Sequence, residues 1–323
     1  MTNRSHDRCR DSYIRYALEE LKIVRSFADL KALYQKATYF MPRVAFTRDR
    51  FRKVPPSLQI EPTNYCNVNC ITCPSSRCSR QRGYMDFDLF QRIVDDASQI
   101  GVKIIALSLH GEPMLHPQIV EMIRYIKSKE LAFNLTTNGT LFSSEKIEAI
   151  LRAGVNSADT ITFSVFGHSK EVHEGIMRRG NYEKEVKSIF EFLELLNKFG
   201  MNGPILETVY HTIPENEHEE QQYVKQWRGV VDHARLGGKI SVSFSEYKKE
   251  GKPIEKRTQT CGRIWETMPV FWNGDVTICA QDVDGEWVLG NLKDYSITEL
   301  WHHERLLALR EIHKQRRFDE FVL

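Results

Sequence analysis

Long apolar runs are missing from this chain of 323 residues. No stretch approaches the roughly 18 to 20 apolar residues that a membrane helix needs, so no membrane span is expected. The opening MTNRSHDRCR is polar and basic, without the apolar h-region of a secretory signal, which favours a cytoplasmic protein. An excess of one charge is missing too. The 45 Lys and Arg against 43 Asp and Glu leave a net +2, which argues against a nucleic-acid partner. Cysteine is sparse, and seven is an odd number. In a chain without a secretory signal, that speaks against a disulfide framework and for metal or redox chemistry. What is present, 41% hydrophobic and 11% aromatic residues, can bury a large core and excludes disorder.

Charge is unevenly spread. Residues 1–53 hold thirteen Lys or Arg against six Asp or Glu. Apolar residues Ile14, Leu18, Leu21 and Val24, then Leu30, Leu33 and Ala37, recur at helical spacing, which predicts a basic helical extension over residues 1–54. Such a basic surface suits packing on the core or peripheral contact with a membrane face or acidic partner. From Pro55 onward, short apolar strands alternate with longer amphipathic stretches. Strands are expected at Leu58–Glu61, Ile104–Leu109, Phe133–Thr136, Thr160–Val165, Leu206–Thr212 and Ile240–Phe244. Helices are expected at Asp88–Gln99, Gln118–Lys129, Ser144–Arg152, Tyr182–Lys198 and Glu219–His233. Repeated βα units imply an α/β fold with a parallel sheet over residues 55–250. Six strands are fewer than the eight of a closed barrel, so a partial (β/α)6 barrel is expected, with its site at the C-terminal strand ends. Gly251–Gln259 reads as a linker. Asn273-Gly274 between two apolar runs predicts a hairpin, and a helix over Ile297–His313 follows. Residues 251–323 thus form a small α+β module.

The chemistry concentrates after the first strand, where Cys66, Cys70 and Cys73 follow one another in a C-x3-C-x2-C pattern. Close-spaced thiolates on one loop converge on a soft metal or cluster, and cysteine is the usual ligand of iron–sulfur cubes. Zinc is the alternative, but paired C-x2-C knuckles or an H-x3-H partner are lacking. A cube needs four ligands and this loop offers three. Either Cys78 completes the set, or one iron stays open for a substrate or cofactor.

The loop and its place after the first strand of a βα domain resemble the radical S-adenosylmethionine (SAM) enzymes, a likeness covering about Leu58 to Phe244. It implies that Cys66, Cys70 and Cys73 ligate a [4Fe–4S] cluster whose fourth iron binds the amino and carboxylate groups of SAM. Thr72 stands where this family often has an aromatic residue. Ser108-Leu-His110-Gly111-Glu112-Pro113 resembles the family's G-G-E-P stretch, which holds the SAM ammonium; His110 replaces the first glycine, and Gly111, Glu112 and Pro113 match. An ammonium offers three donors that carbonyls and a carboxylate can accept. Thr137-Asn138-Gly139 falls where family members read T-N-G. Ser164 matches the ribose-contacting S-x-D-G stretch, with Phe166 replacing its acid. His173 through Arg179 resembles the segment whose arginine pairs with the SAM carboxylate, and Arg178 is preferred over Arg179 for that role.

Cys261-x12-Gly274-x4-Cys279 resembles the opening of the SPASM or twitch modules, which carry auxiliary clusters in many of these enzymes. In the family further cysteines follow the closing helix. None follows here, which is read as a chain ending just before them, as Cys261 and Cys279 remaining in a cluster-free fold, or as other residues completing a second [4Fe–4S] site. Cys9 and Cys78 match no motif and read as free thiols, with a hydrogen-donor role in epimerisation the alternative for Cys78. The resemblance implies an electron donor such as flavodoxin or ferredoxin. It also implies hydrogen abstraction from a carbohydrate-like small metabolite, leading to dehydrogenation or epimerisation. A peptide-modifying enzyme of the ribosomal-peptide or sulfatase-maturase kind is the alternative, and a non-catalytic iron–sulfur electron carrier is the rival from another class.

Overall fold

The computed structural model describes residues 53–239 and 260–318. Six strands alternate with helices: β1 (Ser57–Ile60), β3 (Ile104–Leu107), β4 (Ala132–Thr137), β5 (Thr160–Ser164), β7 (Ile205–Thr212) and β8 (His233–Lys239). The helices are α1 (Phe87–Ile100), α2 (Ile119–Ser128), α3 (Ser144–Leu151), α4 (Lys170–Ile176), α5 (Tyr182–Phe199) and α6 (Glu220–Trp227). Local chemistry fixes their ends. In α1, the Asp86 carboxylate accepts the Leu89 N–H at 3.0 Å, and Gly101 closes the helix at φ 90°. Leu89, Phe90, Ile93, Val94 and Ala97 recur on its inner face and are buried.

The strands pair in parallel in the order β1-β3-β4-β5-β7-β8. Alternation then sorts the side chains. Leu58, Ile60, Ile105, Leu107, Phe133, Leu135, Ile161, Phe163 and Leu206 enter the main core beneath the helices. The register aligns Thr136 with Thr162, Thr162 with Glu207 and Glu207 with His233 on the opposite, polar face. This is the partial barrel expected from the sequence.

The C-terminal segment continues the same sheet. Its strands are β9 (Thr267–Val270), β10 (Asp275–Thr277) and β11 (Val288–Asn291), followed by α7 (Ile297–Trp301) and α8 (Glu304–Gln315). β9 pairs in parallel with β1, Leu58 opposite Met268, and β10 and β11 add antiparallel strands to make nine in all. The Asn273-Gly274 turn is the expected hairpin, with Gly274 at φ 95°.

Three expectations need correction. The helix foreseen over Glu219–His233 stops at Trp227: Arg228 is extended, Gly229 takes φ 79°, and His233 already begins β8. The terminal helix breaks at His302 and His303, because the His303 ring caps α8 by accepting the Arg305 N–H at 3.2 Å. Helix α4, capped by Ser169, was not foreseen. The helical extension, the linker and the strand expected at Ile240–Phe244 lie outside the described residues. Among the described residues, no helix is long and apolar enough to cross a membrane.

Candidate active site

β1 ends at Ile60 and releases the cysteine loop at the C-terminal edge of the sheet. Asn64, fully buried, holds the loop's return: its side chain donates to Gln81 O at 2.9 Å and accepts the Gly83 N–H at 2.9 Å. Thr63 Oγ1 donates to Gly83 O at 2.6 Å. Within the loop, β2 (Asn69–Cys70) pairs antiparallel with β6 (Met177–Arg178), Asn69 opposite Arg178 and Cys70 opposite Met177. That two-residue ladder brings the arginine segment, distant in sequence, against the cysteines.

Cys66, Cys70 and Cys73 line one pocket together with Leu109, His110 and Gly111. Among the described residues, no three His, Cys, Asp or Glu side chains converge tightly enough for a single ion. Three thiols spread along a pocket wall suit a multi-iron cluster, whose irons take one thiolate each, better than a lone zinc. Desolvation pushes the Cys66 thiol up to about 11 and raises Cys70 and Cys73 as well. Without metal the three are neutral thiols, and taking up iron must release their protons.

Gly111 is required by close approach: a Cβ there would fall 2.0 Å from Thr63 O and 2.8 Å from Tyr65 O. The next residue, Glu112, donates its N–H to Tyr65 O at 2.8 Å, clamping the end of β3 beneath the loop. Its buried carboxylate accepts from Met114 N at 3.0 Å, Thr137 Oγ1 at 2.7 Å and Asn138 N at 2.7 Å. Burial pushes Glu112 up to about 7 although these three bonds pull the other way. Pro113 opens the turn Pro113–Leu115 that follows.

Asn138 faces the loop directly. Its Nδ2 donates to Asn67 Oδ1 at 2.8 Å, and Asn67 Nδ2 donates to Thr140 Oγ1 at 2.8 Å. Behind it, Gly139 at φ 72° lies against Glu185, which pairs at 3.1 Å with His173 Nε2; both are fully buried. His173 Nδ1 accepts the Phe166 N–H at 3.2 Å, fixing the chain just past Ser164. Ser164 ends β5 on the polar face, and Arg178 is exposed beside the loop. The structure therefore gathers Cys66, Cys70, Cys73, Gly111, Glu112, Pro113, Asn138, Ser164 and Arg178 at one end of the sheet. Cys261 and Cys279 do not line that pocket. Cys261 donates its N–H to His313 Nδ1 at 3.1 Å, and Cys279 follows β10. Two thiols alone do not complete a cube.

Several residues went unassigned from sequence. Glu61, fully buried, takes a bidentate pair with Arg80 at 3.0 and 2.8 Å, and Arg80 stacks 3.6 Å over Phe271 while donating to Val283 O at 2.7 Å. Cys78 Sγ also reaches Val283 O, at 3.2 Å. These contacts tie the cysteine-loop return to the C-terminal segment. Asn67 sits within the motif, yet an asparagine between cysteines carries no distinguishing signal, and the arginine-rich run Arg77–Arg82 was the available hint for Arg80.

The radical SAM superfamily model matches residues 60–226, and the iron–sulfur cluster-binding domain model, SPASM, matches residues 261–320. The chain belongs to the radical SAM superfamily and carries a SPASM-type C-terminal module. Membership sets its cofactors as SAM and a [4Fe–4S] cluster, and SPASM is an additional cluster-binding domain. A tungsten-containing aldehyde ferredoxin oxidoreductase cofactor-modifying protein from Pyrococcus furiosus is 36% identical, over 80% of this chain and 83% of its own length. A GTP 3′,8-cyclase from Desulforamulus reducens is 28% identical over 55% of this chain, which spans 54% of that relative. Among solved structures, BtrN in complex with AdoMet and 2-DOIA has the same fold at TM-score 0.56 and 15% identity, covering 83% of this chain and 91% of BtrN. His6-tagged anSMEcpe with bound AdoMet reaches 0.59 at 17% identity, covering 80% of each chain.

Proposed function

We propose that this enzyme modifies a polar, carbohydrate-like or cofactor-like small metabolite by hydrogen abstraction, leading to dehydrogenation or epimerisation. The observation that carries it is a cysteine-lined pocket opening at the end of a sheet whose inner rung is polar, Thr136, Thr162, Glu207 and His233. Hydroxyls, a carboxylate and an imidazole suit a substrate rich in hydroxyl and amine groups. The P. furiosus relative, described as cofactor-modifying, supports a small-molecule substrate.

When bound, cluster and SAM together supply a 5′-deoxyadenosyl radical that removes a hydrogen atom from an unactivated C–H bond. Cys66, Cys70 and Cys73 would hold the cluster, and an electron would arrive from a flavodoxin- or ferredoxin-like donor. Gly111, Glu112 and Pro113 would present carbonyls and a carboxylate to the SAM ammonium. Asn138 and Ser164 would orient its nucleoside end, and Arg178 would meet its carboxylate with a planar fork. Residues 55–250 would act as the catalytic core, and the C-terminal module would brace the return of the cysteine loop through Arg80, Cys78 and Ser79. The reading includes a cytoplasmic location.

Anaerobic reconstitution with iron, sulfide, reductant and SAM tests the class. The native chain should release 5′-deoxyadenosine and Cys66→Ala should not; equal cleavage by both would leave the chemistry without its cluster. Iron counting belongs to the same sample, about four per chain for one cluster and about eight for two. For the substrate, metabolite-extract fractions should accelerate 5′-deoxyadenosine release. Acceleration only by peptide fractions would instead favour a peptide-modifying enzyme, in line with the PqqA peptide cyclase of Gluconobacter oxydans, 32% identical over 32% of this chain.

A further inference from the structure

Phe166, just past the end of β5, stands where an acid would be expected and is buried in apolar surroundings. With Ile176, Met177 and Ile213 it forms a second hydrophobic cluster, separate from the main core. Val68, Cys70 and Ile71 of the cysteine loop pack against that cluster. A carboxylate at position 166 would lose its hydration there among apolar side chains. The main chain of Phe166 is tied on both sides. Its N–H donates to His173 Nδ1 at 3.2 Å, and its carbonyl accepts from Asn216 Nδ2 at 2.9 Å. Asn216 is fully buried and also accepts the Ile213 N–H at 2.8 Å, so the loop after β7 is held to the end of β5. Gly167 lets α4 come close, since a Cβ there would fall 2.5 Å from His173 N.

We propose that Phe166 is a positioning residue, whose ring completes an apolar seat that holds the Cys70 segment in place for cluster binding. The proposal rests on the radical SAM reading of the pocket. Two main-chain contacts bring the seat to Cys70. Ile71 donates its N–H to Ile176 O at 3.0 Å, and Cys70 lies opposite Met177 in the β2–β6 ladder. Ile176 and Met177 are themselves buried members of the Phe166 cluster. A ladder of two residues is too short to be stable by pairing alone, so the packing with Phe166 and Ile213 supplies what the pairing lacks. Cys66, by contrast, is exposed, and polar bonds from Asn138 hold its end of the loop. The seat therefore bears on one ligand and not on the other. An apolar wall beside a cluster ligand also limits solvent access to it.

The test uses the full chain. In metal-free protein, iodoacetamide labelling read by peptide mass spectrometry should find Cys70 protected relative to Cys66. Phe166→Ala should raise the Cys70 rate several-fold and leave Cys66 near native. After anaerobic reconstitution, the same variant should hold less iron per chain and release it to a chelator several-fold faster. Phe166→Leu, which stays apolar, should recover most of both effects. Phe90→Ala, the same truncation in the main core, controls for general destabilisation: it should lower the denaturation midpoint without singling out Cys70. Native labelling and native iron retention in Phe166→Ala overturn the proposal, as does a Phe90→Ala that exposes Cys70 to the same degree. If Phe166→Ala does not fold, Ile213→Val makes a smaller cut in the same cluster and is read in the same way. A native chain that protects Cys70 yet takes up no iron overturns the radical SAM reading, whereas one whose Cys70 labels as fast as Cys66 overturns the seat.

Discussion

Glu61 shows how much a single buried carboxylate organises. It bonds Arg80 through both oxygens, accepts the Trp272 N–H at 3.2 Å and lies beside His110. Burial raises its pKa, but the hydrogen bonds from His110 and Arg80 outweigh that and hold the group below the ordinary 4.5. Its stabilisation is thus present above about pH 4.5 and is lost as pH falls through the lower folded value. Replacing one partner leaves the other charge buried and uncompensated. Glu61→Gln is expected to cost about 3–5 kcal/mol in chemical denaturation at neutral pH. The acid-side decline of stability should also be shallower in the variant than in the native chain. Gly111 is equally constrained by space: Gly111→Ala would drive a methyl into Thr63 O, so it should fold with a displaced cysteine loop and load less iron per chain than native protein.

At the scale of elements, the cysteine loop is fastened from the far side of the sheet by the Asn67, Asn138 and Thr140 bonds. Asn67→Ala removes two of them and leaves Asn138 Nδ2 to find a new partner, while Thr140 Oγ1 keeps its bond to Asn138 Oδ1 at 2.7 Å. A loss of about 1–3 kcal/mol is expected in denaturant melts of the metal-free chain. Iron release to a chelator from the loaded chain should be faster than from native protein. The elements differ in how far they were legible. The long amphipathic helices and apolar strands announced themselves by periodicity, as α1 and α5 did through their spacing, while the caps at Asp86 and Asn181 emerge only in the structure. The break after Trp227 was hidden because the residues that follow, Val230 and Val231, keep an apolar rhythm. The two-residue β2 and β6 are too short for any pattern to reveal. The cysteines and the Gly111–Pro113 stretch were visible as motifs, whereas Glu61, Asn67 and Arg80 act through partners up to about two hundred residues away and carry no local signature.

For the whole molecule, the sheet leaves little independence to its parts. β9 hydrogen-bonds along β1, and Arg80, Cys78 and Ser79 reach Val283 and Asp284. Trp227 and Trp301, both fully buried, belong to one hydrophobic core. Single-tryptophan variants reporting from either position, and far-ultraviolet circular dichroism, should therefore give the same denaturation midpoint. Two separated midpoints would show that the C-terminal segment melts on its own.

The β1–β9 pairing also governs the order in which this protein can come into being. Ser57 meets Thr267 only after the ribosome has added 210 further residues, and the strand that launches the cysteine loop stays one-sided until then. At about 5–20 residues per second, that is an interval of many seconds in which an edge carrying Leu58 and Ile60 is open to false pairing. Iron delivered during that interval would meet a loop whose contacts from Arg80 to Phe271 and Val283, and from Gln81 to Trp272, do not yet exist, which favours metallation after synthesis rather than alongside it.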